Sequence, residues 1–173
     1  MISGLLIRDE VAQDHALITE LVRVAFAPMP FSDENDHLIT AALRSAGDLT
    51  LSSVAQLQGE VIGHVAFSPV FIGGHDGWFG LGPIAVAPVR QRRGVGRALV
   101  AAGLTRLAAM GAAGCTLIGN PDIYGRFGFH NHGGLTHAGL PLHLVQWQAL
   151  RPGAPPVGAL RFAAAFGPDA GPA

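Results

Sequence analysis

Apolar positions change period along this chain, and each change marks an element. Residues 2–8 form a short apolar run that predicts a strand. From residue 14 to 26 the spacing is helical, with Leu17, Leu21, Val24 and Ala25 as the expected buried stripe. Ala27-Pro28-Met29-Pro30 breaks that helix. A second helix is predicted to start at Ser32 or Asp33, natural N-caps, and to carry Leu38, Ile39, Ala42 and Leu43 on one face until Gly47-Asp48 ends it. Residues 49–58 and 61–72 read as strands joined by a turn at Gly59-Glu60, and Gly73-Gly74-His75-Asp76-Gly77 reads as a second turn. A third strand covers 78–86 with Pro83 inside it. Proline cannot donate to a ladder, so Pro83 marks an edge, a bulge or a stop in the pairing.

The second half opens on a helix over 94–110, with Val95, Leu99, Gly103, Leu107 and Met110 along one stripe and Gly111 closing it. Residues 115–119 predict a short buried strand, and Pro121 suits the first turn of another short helix. Beyond Phe129 the pattern weakens. Residues 130–141 read as a loop, 142–150 have strand character, 152–158 are rich in proline and glycine, and 160–166 form a last apolar segment. Residues 167–173 are expected to be a disordered tail. There is no internal repeat. A strand meander followed by strand–helix–strand–helix predicts one mixed α/β domain over residues 1–166.

Composition narrows the setting. The chain has 173 residues, enough to bury a real core. It is 49% apolar, yet no uninterrupted run approaches the ~20 residues of a membrane helix, and the apolar N-terminus is too short for a secretory signal. The expectation is a soluble, cytoplasmic protein without a membrane partner. One cysteine, Cys115, rules out an intrachain disulfide and fits a reducing compartment. A net charge of -1 provides no global field for nucleic acid. Every basic residue is arginine. Without lysine there is neither a P-loop nor a Schiff-base enzyme.

Five of the arginines lie between Arg90 and Arg106, and a solvated face is the usual fate of such a run. Here the context differs. The apolar strand Ile84-Ala85-Val86 leads through Gln91-Arg92-Arg93-Gly94-Val95-Gly96-Arg97 directly into a helix. The first amides of a helix have no intrahelical partner, and its dipole places partial positive charge beside them. Arg90, Arg92, Arg93 and Arg97 add full charges, while Gly94 and Gly96 allow a sharp turn and close approach of a ligand. The stretch therefore predicts an anion site. A dinucleotide fingerprint would need a small residue where Leu99 stands, so what remains is Gln91-x-x-Gly94-x-Gly96.

About thirty residues on comes Asn120-Pro121-Asp122-Ile123-Tyr124-Gly125-Arg126-Phe127-Gly128-Phe129. Together the two segments resemble the GNAT superfamily of acyl-CoA-dependent N-acetyltransferases, over roughly residues 49–129. His64-Val65-Ala66-Phe67-Ser68-Pro69-Val70 and Tyr124-Gly125-Arg126-Phe127-Gly128-Phe129 further resemble one branch of predicted acetyltransferases in it, where Pro83 and the closing segment 158–167 also have counterparts. The resemblance implies a GNAT fold: a mixed, mostly antiparallel central sheet flanked by helices and splayed at the acyl-CoA site. It implies that the main chain from Arg92 through Arg93, Gly94, Val95 and Gly96 to Arg97, with the Gln91 region, cradles the pyrophosphate of acetyl-CoA, the cosubstrate. Ile84, Ala85 and Val86 would bind the pantetheine arm as an added strand, an amide near Val86 would face the thioester carbonyl, and Asn120 would line the arm from the other side.

Tyr124, the only tyrosine, matches the family's general acid. A phenol of pKa about 10 is fully protonated at neutral pH and suits a departing thiolate of pKa near ~8.5. Without the flanking motif it would read as a rim aromatic. Cys115 sits in an apolar strand and reads as structural. His130, His132 and His137 are close in sequence but lack a ligand-rich pattern, so no metal is expected. For a general base the candidates Asp33, Glu34, Asp36, His37 and His64 stay open, with caps and solvated surface as the plainer readings of most. The reading is acetyl transfer from acetyl-CoA to a primary amine, of a small molecule or of a protein or peptide, with no metal and room for a homodimer. An acyl-CoA-binding module without catalysis is the alternative, and a structural or metal-binding protein with an accidental motif is a weaker third.

Overall fold

In the computed structural model, residues 2–29, 32 and 35–167 are described. The tail expected over 167–173 therefore lies outside them from residue 168 on, as do the candidate bases Asp33 and Glu34. The elements in chain order are β1 (Leu5–Asp9), α1 (His15–Phe26), α2 (Ile39–Ala46), β2 (Leu51–Leu57), β3 (Glu60–Pro69), β4 (Phe71–Ile72), β5 (Trp78–Val86), α3 (Val95–Ala109), β6 (Gly114–Ile118), α4 (Pro121–Tyr124), β7 (Gly134–Thr136), β8 (Val145–Ala149) and β9 (Val157–Arg161). Two compact units share the chain: one takes the residues up to Phe67 and Gly82–Gly103, the other Ser68–Leu81 and the residues from Leu104 on. Among the described residues no helix is long and apolar enough to cross a membrane.

In the first unit β1, β2 and β3 form an antiparallel meander, and β5 follows β3 in the sheet order. Gln58 and Gly59 both have positive φ, the requirement of a tight turn that matches strand twist, so the hairpin turns one residue earlier than the sequence suggests. Its core gathers Ile18, Val22 and Ala25 of α1 with Val54 and Ala85. The buried stripe of α1 is thus Ile18–Val22–Ala25, whereas the predicted Leu17 and Val24 are exposed. Both stripes satisfy helical spacing, and only the sheet decides between them. The second helix also starts later. Ser32 donates to the Asp36 carboxylate instead of capping, a 3-10 turn covers Asp36–Leu38, and Leu38 is exposed while Thr40 and Leu43 are buried. Gly47 closes α2 in the left-handed conformation, as its position predicts.

In the second unit β6 pairs in parallel with β5 and antiparallel with β8. Each of these registers is antiparallel except that one, so the sheet is mixed and mostly antiparallel. The parallel register runs from Trp78 beside Gly114 to Gly80 beside Thr116 and ends three residues before Pro83, the stop in pairing that the proline predicts. A second sheet of order β4-β9-β7 was not foreseen. Residues 134–136 of the expected loop form β7, and β9 (Val157–Arg161) runs from the end of the proline- and glycine-rich stretch into the last apolar segment. Its core is separate: Ile72, Leu135, Leu160 and Phe162 pack with Trp78, Val145 and Trp147.

Helix α3 buries Val95, Leu99, Val100, Leu104 and Leu107, while Met110 at the end of the predicted stripe is exposed. Within the first unit its backbone comes close to β3 because two side chains are missing. A Cβ on Gly63 would meet Val95 and Leu99 at 2.9 and 3.0 Å, and one on Gly103 would stand 2.2 Å from two ring carbons of fully buried Phe67. Gly103→Ala therefore gains about 1 kcal/mol of helix propensity but incurs overpacking of about 1–3 kcal/mol or more. We expect net destabilisation in urea unfolding, partly restored by adding Phe67→Leu.

Candidate active site

The loop before α3 is built by backbone conformations that the sequence had to permit. Arg92 and Gly94 both have positive φ, at 60° and 90°, and no atom lies within 4 Å of where a Gly94 Cβ would stand. Left-handed geometry is inexpensive only for glycine. The first i→i−4 bond of α3 runs from the Ala98 amide to the Gly94 carbonyl at 3.0 Å, so the amides of Val95, Gly96 and Arg97 precede it. Arg92, Arg93 and Arg97 are exposed around these amides, and Arg90 is drawn 3.8 Å from Glu60. A Cβ on Gly96 would meet only Val86, at the ordinary contact distance of 3.7 Å. The Gln91 carboxamide donates to the Val86 carbonyl at 3.1 Å and ties the loop to the end of β5. In β5 itself Ala85 is buried, whereas Ile84 and Val86 are half-buried.

In the second unit Asn120 caps α4, its side-chain oxygen accepting from the Asp122 amide at 2.9 Å. That role explains an asparagine before proline without any ligand. The Tyr124 ring is half-buried between Phe127 and Phe129, at centroid distances of 6.4 and 6.3 Å. It lies over Gly119, where a Cβ would stand 2.5 Å from the ring. Burial raises the phenol above its ordinary pKa of 10. It is therefore held protonated through the physiological range.

The family model described as Acetyltransferase (GNAT) family matches residues 15–129, which include both segments. The chain belongs to the GNAT acetyltransferase family. The uncharacterized N-acetyltransferase YhbS of Escherichia coli K12 is 42% identical over 127 residues, covering 72% of this chain and 73% of that protein. A GNAT family acetyltransferase from Brucella melitensis, solved in complex with acetyl-CoA, superposes with a TM-score of 0.83 at 42% identity over 94% of this chain and 98% of its own. YhbS from Escherichia coli in complex with CoA gives 0.82 at 32% identity, covering 94% and 92%. These superpositions place the GNAT chain in the single α/β fold that the two segments imply.

The remaining candidates of the GNAT chain separate by burial. Cys115 is fully buried and its thiol pKa is pushed up by desolvation, an inert structural cysteine. His130 packs edge-on against Trp147 and accepts from the His132 amide, while His137 bonds the Leu160 carbonyl at 2.8 Å. Among the described residues no three His, Cys, Asp or Glu side chains gather as metal ligands. Asp36 is engaged by Ser32. His64 belongs to a buried relay in the first unit. Arg44 donates to Glu10 at 2.8 and 3.0 Å, Ser52 donates its hydroxyl proton to Glu10, and His64 Nε2 lies 2.8 Å from Ser52 Oγ. With the serine proton committed to a carboxylate, Ser52 Oγ must accept, so His64 carries its proton on Nε2. Nothing in the sequence announces this relay, because its members are brought together only by strand register.

Desolvation lowers His64 to a pKa of about 4 against an ordinary 6.5, despite the opposing charge of Glu10. Burial would raise Glu10, but the Arg44 and Ser52 hydrogen bonds outweigh it and hold the carboxyl low. Between these pKa values the unfolded chain binds the His64 proton and the folded chain does not. Stability is thus complete above pH 6.5 and falls toward pH 4 by up to about 1.4 kcal/mol per unit from His64 alone. Urea midpoints across this range should show the slope, and His64→Gln should flatten it.

Proposed function

We propose that this chain transfers an acetyl group from acetyl-CoA to a primary amine by direct attack within a ternary complex. The carrying observation is the loop before α3: free leading amides at Val95, Gly96 and Arg97, an open left-handed Gly94 and three exposed guanidinium groups. A pyrophosphate matches that array in charge and in hydrogen-bond count. The Brucella relative's complex with acetyl-CoA and the YhbS complex with CoA support the donor. Lysine-dependent phosphate sites are excluded by composition.

The pantetheine arm would run along Ile84–Val86, where the parallel register has already ended. Gln91 fixes the Val86 carbonyl and with it the orientation of the strand end. An amide at Val86 then stabilises the oxyanion formed when the amine nitrogen adds to the thioester carbonyl. Asn120 keeps its capping bond and borders the arm. As the C–S bond breaks, the Tyr124 phenol donates toward the departing sulfur, and the amine releases its own proton. Burial keeps that donor loaded but makes it a weaker acid. Its contribution is a hydrogen bond that strengthens as charge reaches the sulfur. The acceptor is a small-molecule, protein or peptide amine.

Acetyl-CoA at a hundred times its Kd should stabilise the folded chain by about 2.7 kcal/mol, raising Tm by several degrees. No shift at millimolar ligand would remove the donor assignment. With an amine from a panel that supports thiol release, Tyr124→Phe should lower kcat by about 10²-fold and leave the KM for acetyl-CoA nearly unchanged. Full turnover in that variant, with chemistry limiting, would remove the acid role. Acetyl-CoA binding without thiol release to any amine would leave a binding module instead of an enzyme.

A further inference from the structure

We propose that Gln146 is a positioning residue for Tyr124, acting through the carbonyl of Gly119. Gln146 stands on β8 opposite Leu117 and is 1% exposed. Its Nε2 donates to the Gly119 carbonyl at 2.8 Å, while the Gly119 amide donates to the Leu144 carbonyl at 3.0 Å. Both polar groups of Gly119 are thus held, and its bare α-carbon is the surface on which the Tyr124 ring lies. The amide orientation is not ambiguous, because a carbonyl facing Gln146 requires its NH2 group.

A role confined to stability fits poorly. A buried carboxamide is costly unless satisfied, and Gln146 Oε1 has no partner among the described residues. An apolar side chain of that volume would fill the site at less cost. What it would lose is the one bond that fixes the Gly119 peptide at the end of β6, where the β6–β8 ladder stops at Ile118 and Val145. If that peptide tilts, the seat of the Tyr124 ring tilts with it. Asn120, next in sequence, then reorients the start of α4, whose last residue is Tyr124 itself.

The effect on turnover rests on the acid role proposed for Tyr124, whereas the positioning itself does not. Because Tyr124 is the only tyrosine, 3-fluorotyrosine labelling places a single 19F reporter in the chain. Gln146→Met keeps volume and removes the donor. We expect its 19F line to move toward the value of free fluorotyrosine, with kcat reduced about tenfold and the KM for acetyl-CoA retained, since about an ångström of misplacement can cost 10²-fold. Gln146→Glu gives an independent measurement. As a buried acid it donates to the Gly119 carbonyl when protonated and cannot when ionised. Its line should be wild-type-like at low pH and displaced at higher pH, a step absent from the wild type. An unmoved line in Gln146→Met, or in Gln146→Glu no step beyond the wild type's, overturns the positioning role. If Gln146→Met does not fold, the Gln146→Glu titration decides alone. A displaced line combined with full turnover in Tyr124→Phe would uphold the positioning and remove the acid reading.

Discussion

Aromatic rings seated on glycines are the constraint on which most of this structure depends. Phe67 lies over Gly103, Trp78 over Gly114, Tyr124 over Gly119, and Phe162 over Gly80. In each case a Cβ on the glycine would occupy the ring's own volume. Two of these rings anchor the core of the second unit, one sets how α3 meets β3, and one carries the proposed acid. A large ring buries much apolar area only if something else gives way, and here the missing side chain is in the opposing backbone. Four of the chain's 24 glycines serve this exchange, beside thirteen of positive φ among the described residues.

That exchange also explains which features could be read from the sequence. Gly47, Gly59, Gly94 and Gly111 have positive φ and mark turns or helix ends where local spacing placed them. Gly80 and Gly114 lie in strands, and their meaning depends on rings distant in sequence. Local signals therefore recovered the strand–loop–helix that leads into α3, the proline that opens α4 and the pairing stop near Pro83. They failed wherever partners were non-local. On α1 the predicted Leu21 and Ala25 do meet the core, but Leu17 and Val24 were chosen over Ile18 and Val22, which fit helical spacing as well. Strand β7 was missed because its three residues acquire strand geometry only from pairing with β9. Gln146 was missed because a glutamine alternating with apolar residues, as Gln146 and Gln148 both do in β8, announces no partner.

The arginines show a second division. Arg8 forms a two-pronged pair with Asp14, Arg44 with Glu10, and Arg23 with Glu20. Arg92, Arg93 and Arg97 form no ion pair among the described residues and are exposed together. A chain so nearly neutral, with almost as many basic as acidic residues, had carboxylates to place beside them. Leaving three guanidinium groups uncompensated beside unpaired helix amides concentrates positive potential at the loop proposed to hold the pyrophosphate. Exposure costs these groups little while the site is empty.

Burial then divides the acid and base chemistry of the two units. His64 is enclosed so fully that it remains neutral across the working range, its proton directed to Ser52 and the serine's own to Glu10, so its relay ties β2 and β3 together instead of exchanging protons with solvent. Tyr124 is only half-buried and its phenol is likewise kept in the neutral form, but that form is a donor. Desolvation moves the two pKa values in opposite directions because the charged form is the protonated one in histidine and the deprotonated one in tyrosine. The same force keeps the enclosed histidine neutral, its one proton spent on the bond to Ser52, and keeps the partly exposed phenol holding its own. A leaving thiolate needs a loaded donor at the edge of the protein, and of these two groups only the phenol meets that need.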